Sequence, residues 1–122
     1  GRLSEIIVLD QFSRNMFRDD AKAFASDAFA VELAKEAMSL WDEFSIQERS
    51  FVVMPFMHSE SLAVHDWAVK WFDEPGLERR KKYELMHREI IERFGRYPHR
   101  NRVLGRTSTP EEETFLKEHP GF

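Results

Sequence analysis

Apolar residues recur at three- and four-residue spacing along nearly the whole chain, whereas the two-residue alternation of a β-strand is hard to find. This spacing places apolar side chains on one face of an α-helix. One such face carries Ala30, Leu33, Ala34, Ala37 and Trp41, and its small alanines allow neighbouring helices to pack closely. The pattern predicts an all-α fold.

Polar residues divide this pattern into helices. Asp27 is a favourable N-cap, and Ser45 with Glu48 has the spacing of a capping box, in which each side chain bonds a free backbone amide. Thr109 and Glu112 repeat that spacing before the last apolar stretch. The predicted helices cover residues 3–14, a segment from 27, and residues 45–54, 61–72, 77–94 and 109–118.

Proline and glycine predict where helices stop. Pro55 lacks a backbone donor and clashes with the preceding turn, so we predict a break between Pro55 and Glu60. Gly95 is the predicted C′ residue of a long helix. The buried stripe predicted for that helix is Tyr83, Met86, Ile90, Ile91 and Phe94.

The predicted helix starts are spaced like those of helical hairpins. Starts near residues 27, 46, 61 and 77 lie 19, 15 and 16 residues apart, so alternate helices recur near the period of about 34 residues seen in such repeats. No repeat consensus is legible in the sequence. We therefore predict stacked antiparallel hairpins forming a single domain over residues 1–122.

Composition excludes several function classes. The absence of cysteine rules out disulfides and thiol catalysis and fits a reducing cytosol, so we expect a cytoplasmic protein. A net charge of −4 argues against nucleic-acid binding, which usually needs a basic excess. The apolar runs are far shorter than the roughly 18 residues of a membrane span, so no membrane partner is predicted.

The segment from Arg93 to Arg102 contains four arginines, one histidine and one asparagine and no acidic residue. Arginine presents a rigid fork of donors that suits carboxylates and phosphates. We predict that Arg96, His99, Arg100 and Asn101 bind an anionic small molecule or a peptide carboxylate. The alternative is structural: these side chains cap helix ends and pair with Asp10, Glu60 or Asp66.

Two further polar groups are candidates for the same site. Asp10 and Arg14 form a favourable i,i+4 pair, so Arg14 and its neighbour Asn15 either take part in an internal ion pair or bind a ligand. His58 and Glu60 fall at the predicted helix break, where a carboxylate would raise the proton affinity of the histidine. Their alternative role is to cap and pack against the next helix.

Metal and cofactor sites are not predicted. His58, Glu60, His65 and His99 can be drawn as a ligand set, but the zincin spacing of two histidines four residues apart on one helix is absent. His87 lies on an apolar helix face and is expected to be a hydrogen-bonded core residue.

Three segments together resemble the bacterial domain-of-unknown-function family 924. They are the segments 9–15 (LDQFSRN), 58–62 (HSESL) and 93–101 (RFGRYPHRN), and the similarity extends to Arg18, to residues 24–27 and to residues 105–113. The resemblance implies an all-α, tetratricopeptide-like fold with no established activity.

The chain departs from that family at particular positions. Ser61 stands where an acid commonly follows the His-Ser-Glu triplet, and His65 stands where glutamine is frequent. Family members usually carry a further N-terminal region rich in Trp and Phe, so we expect that a longer N-terminus precedes Gly1.

Three functions fit these observations. The first is a helical binding module whose cleft holds an anionic group with the eight candidate residues Arg14, Asn15, His58, Glu60, Arg96, His99, Arg100 and Asn101. The second is a small hydrolase or transferase, in which Arg96 and Arg100 hold the anion and His58 or His99 moves protons. The third is a buried polar network that only fixes helix order.

Overall fold

The protein was analysed as a computed structural model, which describes residue 24 and residues 27–121. Each regular element in these ranges is a helix, so the predicted all-α class is confirmed. The helix predicted over residues 3–14 lies outside the described residues. The tetratricopeptide-like arrangement of the helices stays a prediction.

Helix α1, Asp27–Ala37, starts at the predicted position and continues into a 3₁₀ segment, Met38–Glu43. Its predicted inner face is confirmed, because Ala30, Ala34 and Ala37 are almost completely buried and Trp41 follows on the same side. The side chain of Trp41 donates from Nε1 to Glu74 at 3.0 Å. This bond links the 3₁₀ segment that follows α1 to the loop that contains Glu74.

Helices α2, Ile46–Val52, and α3, Met54–Met57, replace the single helix that the sequence predicted here. The Ser45–Glu48 capping box is present at the start of α2. The break predicted between Pro55 and Glu60 is confirmed, because α3 ends at Met57 and the next helix begins only at Leu62. A further break, which the sequence did not predict, falls at Val53, and Pro55 lies in the first turn of α3. A proline is tolerated in a first turn because its missing N–H would have no helical acceptor there.

Helix α4, Leu62–Ala68, begins after the N-cap residue Ser61 and continues into a 3₁₀ segment, Val69–Phe72. Helix α5, Glu78–Phe94, is the longest described helix. It ends at Gly95, whose φ of 74° is the left-handed conformation that terminates many helices and favours glycine. Both helices match their predicted ranges within a few residues.

One position of the predicted α5 stripe is wrong. Met86 is 46% exposed, whereas Glu84, two residues earlier, is completely buried. The buried face of α5 therefore includes an acid. The physical reason is a histidine on α4, described below, that compensates the buried carboxyl group.

The chain then forms a loop containing a short 3₁₀ segment, Pro98–Arg100, before helix α6, Pro110–Glu118. The predicted Thr109–Glu112 capping box is confirmed. One core cluster contains Leu77 and buried residues from each of the helices α1, α2, α3 and α4. A second core cluster contains Ile90, Ile91, Tyr97 and Phe115. No helix within the described ranges is both long and apolar enough to cross a bilayer.

Candidate functional site

Glu60 lies in the turn between α3 and α4 and joins three parts of the chain. Arg106 donates to both of its carboxylate oxygens, at 2.9 and 3.0 Å, and the backbone amide of Tyr97 donates to Oε2 at 2.7 Å. Burial alone would raise the pKa of Glu60, but these hydrogen bonds, with the nearby charges of Arg100 and Arg106, lower it. Glu60 is therefore ionised at neutral pH.

Arg106 is satisfied within the same network. Its Nε donates to the side-chain oxygen of Asn101 at 3.0 Å, and its Nη2 also donates to the carbonyl of Tyr97 at 3.1 Å. Asn101 is 2% exposed and donates in turn to the hydroxyl of Ser108. These bonds hold the loop after α5 against the turn that carries Glu60.

Arg100 extends from this loop toward α1. Its Nη2 donates to the carbonyl of His58 at 2.7 Å, and its Nη1 lies 3.3 Å from Asp27 and 3.9 Å from Glu60. The guanidinium carbon is 4.4 Å from the ring centre of Phe24 and 4.7 Å from that of Tyr97. Both distances suit cation–π contact.

Arg96 belongs to a different cluster. It donates to both oxygens of Glu112, at 2.9 and 2.7 Å, and to the carbonyl of Thr107. Glu112 also accepts the amide of Thr109 in the capping box. The bonds from Arg96, and then that from Thr109, lower the pKa of Glu112 to about 2 against the opposing effect of burial.

A fully buried histidine and acid connect α4 to α5. Nδ1 of His65 lies 2.7 Å from Glu84, and Nε2 lies 2.7 Å from the carbonyl of Ser59. A carbonyl can only accept, so Nε2 carries a hydrogen, and a second proton is shared between Nδ1 and the carboxyl group. The pair is thus neutral overall. Burial raises the pKa of Glu84, and the bond with His65 acts in the opposite direction.

Tyr97 joins this pair to the loop. Its buried hydroxyl donates to the carbonyl of Met57 at 2.6 Å, so its oxygen is the acceptor for Nε2 of His65 at 3.1 Å. His87, on α5, packs edge-on against the Tyr97 ring. Nδ1 of His87 donates to the carbonyl of Tyr83, which confirms the expected hydrogen-bonded role. Burial lowers the pKa of His87 to about 4.

A cavity of about 460 Å³ lies beside Arg100. Asp27, Glu60 and Arg100 contribute charged groups to its wall, and Ser59 and Ser61 contribute polar ones. Its apolar lining consists of Phe24, Ala28, Val31 and Leu104. The cavity is thus bounded by the start of α1, the turn before α4 and the loop after α5.

Comparison with known proteins identifies the family. A family model described as "Bacterial protein of unknown function (DUF924)" matches residues 1–120. The chain belongs to this family. The chain is also similar to a solved structure, that of the protein of unknown function ATU0120 from Agrobacterium tumefaciens, with 37% sequence identity and a TM-score of 0.85. The match covers 97% of this chain and 68% of that one. A search of curated proteins gives no significant match.

The structure brings together only some of the residues predicted for this DUF924 chain. Glu60 and Arg100 both line the cavity. Asn101 lies outside the lining and stabilises the loop that carries Arg100, because it accepts a hydrogen bond from Arg106. Arg96 pairs with Glu112 and belongs to the second cluster. Arg14 and Asn15 lie outside the described residues.

The two histidines predicted for the site occupy different places. His58 contributes its backbone carbonyl to Arg100, and its ring centre lies 6.5 Å from that of His87. His99 donates from Nε2 to the carbonyl of His119 at the end of α6. Asp66, an expected partner of the arginine loop, is instead paired with Arg88.

Sequence reasoning missed four functional or supporting residues. The sequence indicates Asp27 only as a helix cap, and it indicates Arg106 only as part of the family resemblance. Tyr97 and Glu84 gave no signal, because their partners are 40 and 19 residues away in the chain. Within the described ranges, no group of three or more histidines and acids is placed to hold a metal ion.

Proposed function

We propose that this DUF924 protein is a helical binding module that holds a small ligand by a carboxylate at Arg100. The observation that carries the proposal is the cavity with Arg100 in its wall. Its volume of about 460 Å³ lies in the range of roughly 300–1,000 Å³ typical of small-molecule sites. Its mixed lining also suits such a ligand, because apolar surface contributes affinity and a few polar groups set orientation.

The position of Arg100 supports its role as the anchor. The rings of Phe24 and Tyr97 and the His58 carbonyl hold its guanidinium in place. Its contact with Asp27, at 3.3 Å, is longer than the 2.7 Å bond to His58. A ligand carboxylate that enters the cavity would replace Asp27 at the guanidinium, and a preorganised fork loses little entropy in doing so.

The buried network has a supporting role in this proposal. Glu60, Arg106, Asn101 and Tyr97 bond mainly to one another, so they fix the loop that presents Arg100. Arg96 and Glu112 fix the end of the same loop at α6. In this proposal, Arg96 and Asn101 of the arginine-rich segment have a structural role, and Arg100 binds the ligand.

The enzymatic alternative has less support. It requires Arg96 and Arg100 to hold one anion, but Arg96 is paired with Glu112. It also requires Glu60 to tune a histidine, whereas the described hydrogen-bond partners of Glu60 are Arg106 and the Tyr97 amide. We keep the tetratricopeptide-like arrangement and a cytoplasmic location as proposals beside the binding function.

Calorimetry and thermal unfolding with a panel of sodium carboxylates, free amino acids and inorganic phosphate test the proposal. A ligand at about 100 times its Kd stabilises the folded state by about 2.7 kcal/mol. Arg100→Ala should abolish the effect, and Arg100→Lys should weaken it because the planar fork is lost. Arg102→Ala is the matched control, because Arg102 is an exposed arginine of the same loop outside the cavity lining.

Circular dichroism and urea unfolding of each variant separate loss of binding from loss of fold. Binding by the Arg100 variants that equals binding by Arg102→Ala would contradict the proposal. So would a panel that produces no heat of binding with the wild-type protein.

A further inference from the structure

One face of α5 carries exposed side chains along its whole length. Residues three or four positions apart lie on the same side of a helix. Six exposed residues follow one another on this face, and we call them the α5 stripe: Glu78, Lys82, Leu85, Met86, Glu89 and Arg93. The intervals between them are four, three, one, three and four residues, so the spacing is the same in both directions along the helix.

The centre of the stripe is apolar. Leu85 is 47% exposed and Met86 is 46% exposed. Leu85 lines a cavity of about 530 Å³ on one side of the helix, and Met86 lines a cavity of about 240 Å³ on the other side. Neighbouring exposed apolar residues with open space beside them are typical of a surface on which another helix packs.

The charged residues of the stripe have no ionic partners within the described part of the chain. Lys82 and Glu89 form no ion pair there. The guanidinium group of Arg93 lies over aromatic rings and not beside an acid. The hydrogen bonds that Glu78 accepts come from backbone amides, one of them that of Gly76. All four charges can therefore pair with charges on another molecule.

The order of the charges fits an antiparallel copy of the same helix. Lys82 and Glu89 lie 3.5 positions on either side of the midpoint between residues 85 and 86, and Glu78 and Arg93 lie 7.5 positions on either side. About a twofold axis at this midpoint, each residue faces the one that lies equally far on the other side in the second copy. Each charge then meets an opposite charge. A parallel pair would instead place each charge opposite itself.

We propose that the α5 stripe is the interface of a homodimer, in which the α5 helices of two copies pack antiparallel. Leu85 and Met86 form its apolar centre, and the charge pairs close it at both ends. One helix from each copy makes a small contact, so we expect a reversible dimer at micromolar concentrations. The stripe shares no residue with the lining of the Arg100 cavity, so the inference does not depend on the proposed function.

Analytical ultracentrifugation at increasing protein concentration tests the inference. The wild-type mass should rise from that of one chain, 14.5 kDa, toward that of two. Lys82→Glu places two acids opposite each other in the dimer, and Glu89→Lys places two lysines opposite each other. Each variant should dimerise at least tenfold more weakly than the wild type, because like charges that face each other repel. Lys117→Glu is the matched control, since it makes the same change at an exposed lysine of α6.

A mixture of the two variants gives a test of opposite sign. In a dimer with one copy of each, the two acids of the Lys82→Glu copy face the two lysines of the Glu89→Lys copy. Opposite charges then meet at both positions. The mixture should therefore dimerise at least as tightly as the wild type, although each variant alone does not. Unfolding of either variant could not produce this restoration.

Three results would overturn the inference. The first is a wild-type protein that stays monomeric, whether another protein or another part of the chain covers the stripe. The second is dimerisation of both single variants with the affinity of Lys117→Glu, and the third is a mixture that associates no better than its components. If circular dichroism shows that a single variant is unfolded, Met86→Glu replaces it, because an acid at the apolar centre should also weaken the dimer at least tenfold. Unchanged dimerisation of Met86→Glu would overturn the inference as well.

Discussion

Replacing Tyr97 with phenylalanine removes a single hydroxyl and keeps the ring that contacts Arg100, His65 and His87. The lost group donates a 2.6 Å hydrogen bond to the carbonyl of Met57, a residue that is only 4% exposed. A buried acceptor deprived of its donor costs about 1–3 kcal/mol. Nε2 of His65 keeps the Ser59 carbonyl, so we expect a total loss near 2 kcal/mol in the free energy of unfolding.

Urea unfolding at pH 7, followed by far-ultraviolet circular dichroism, measures this loss. With a slope of about 1–3 kcal/mol per molar urea, a loss of 2 kcal/mol lowers the midpoint by roughly 1 M at an unchanged slope. Tyr83→Phe is the matched control, because Tyr83 is half-buried and its hydroxyl forms no hydrogen bond within the described part of the chain. A Tyr97→Phe midpoint indistinguishable from that of the control would refute the reasoning.

Three further predictions concern separate features. Glu112→Gln should lower the free energy of unfolding by about 1–2 kcal/mol at pH 7. Because the pKa of Glu112 is lowered to about 2, the extra stability of the wild type should be fully present above about pH 4.5 and should disappear in acid-unfolding curves as the pH falls toward 2. Gly95→Ala should cost about 1–2 kcal/mol in urea unfolding because φ is 74° there, whereas Gly121→Ala should be neutral. The His87 ring should stay neutral down to about pH 4 in an NMR titration, and its contribution to stability should fall as pH drops from 6.5 toward 4.

Local features of the fold were predictable because their partners are close in sequence. The capping boxes at Ser45 and Thr109 and the glycine stop at Gly95 each involve residues within a few positions, and all three are present. The break that follows Pro55 was predictable, whereas the break at Val53 was not, because a proline that ends one helix can equally begin the next.

The candidate site was predictable only in part, for the same reason. The arginine-rich loop indicated negatively charged partners, but those partners lie far away along the chain. Glu112 is 16 residues from Arg96, and Glu60 is 46 residues from Arg106. The burial of Glu84 opposes the usual preference of acids for solvent. Only the position of His65 across the α4–α5 interface explains it, and no single-helix pattern contains that information.

The separation of Asp27 from Arg100 has a consequence for how the chain folds. These partners are 73 residues apart, so a ribosome adding about 5–20 residues per second makes the second one roughly 4–15 s after the first. Helices with local caps form in microseconds or less. Helices α1 to α4 therefore leave the ribosome seconds before the loop that completes the cavity wall, so the cavity cannot close until late in synthesis.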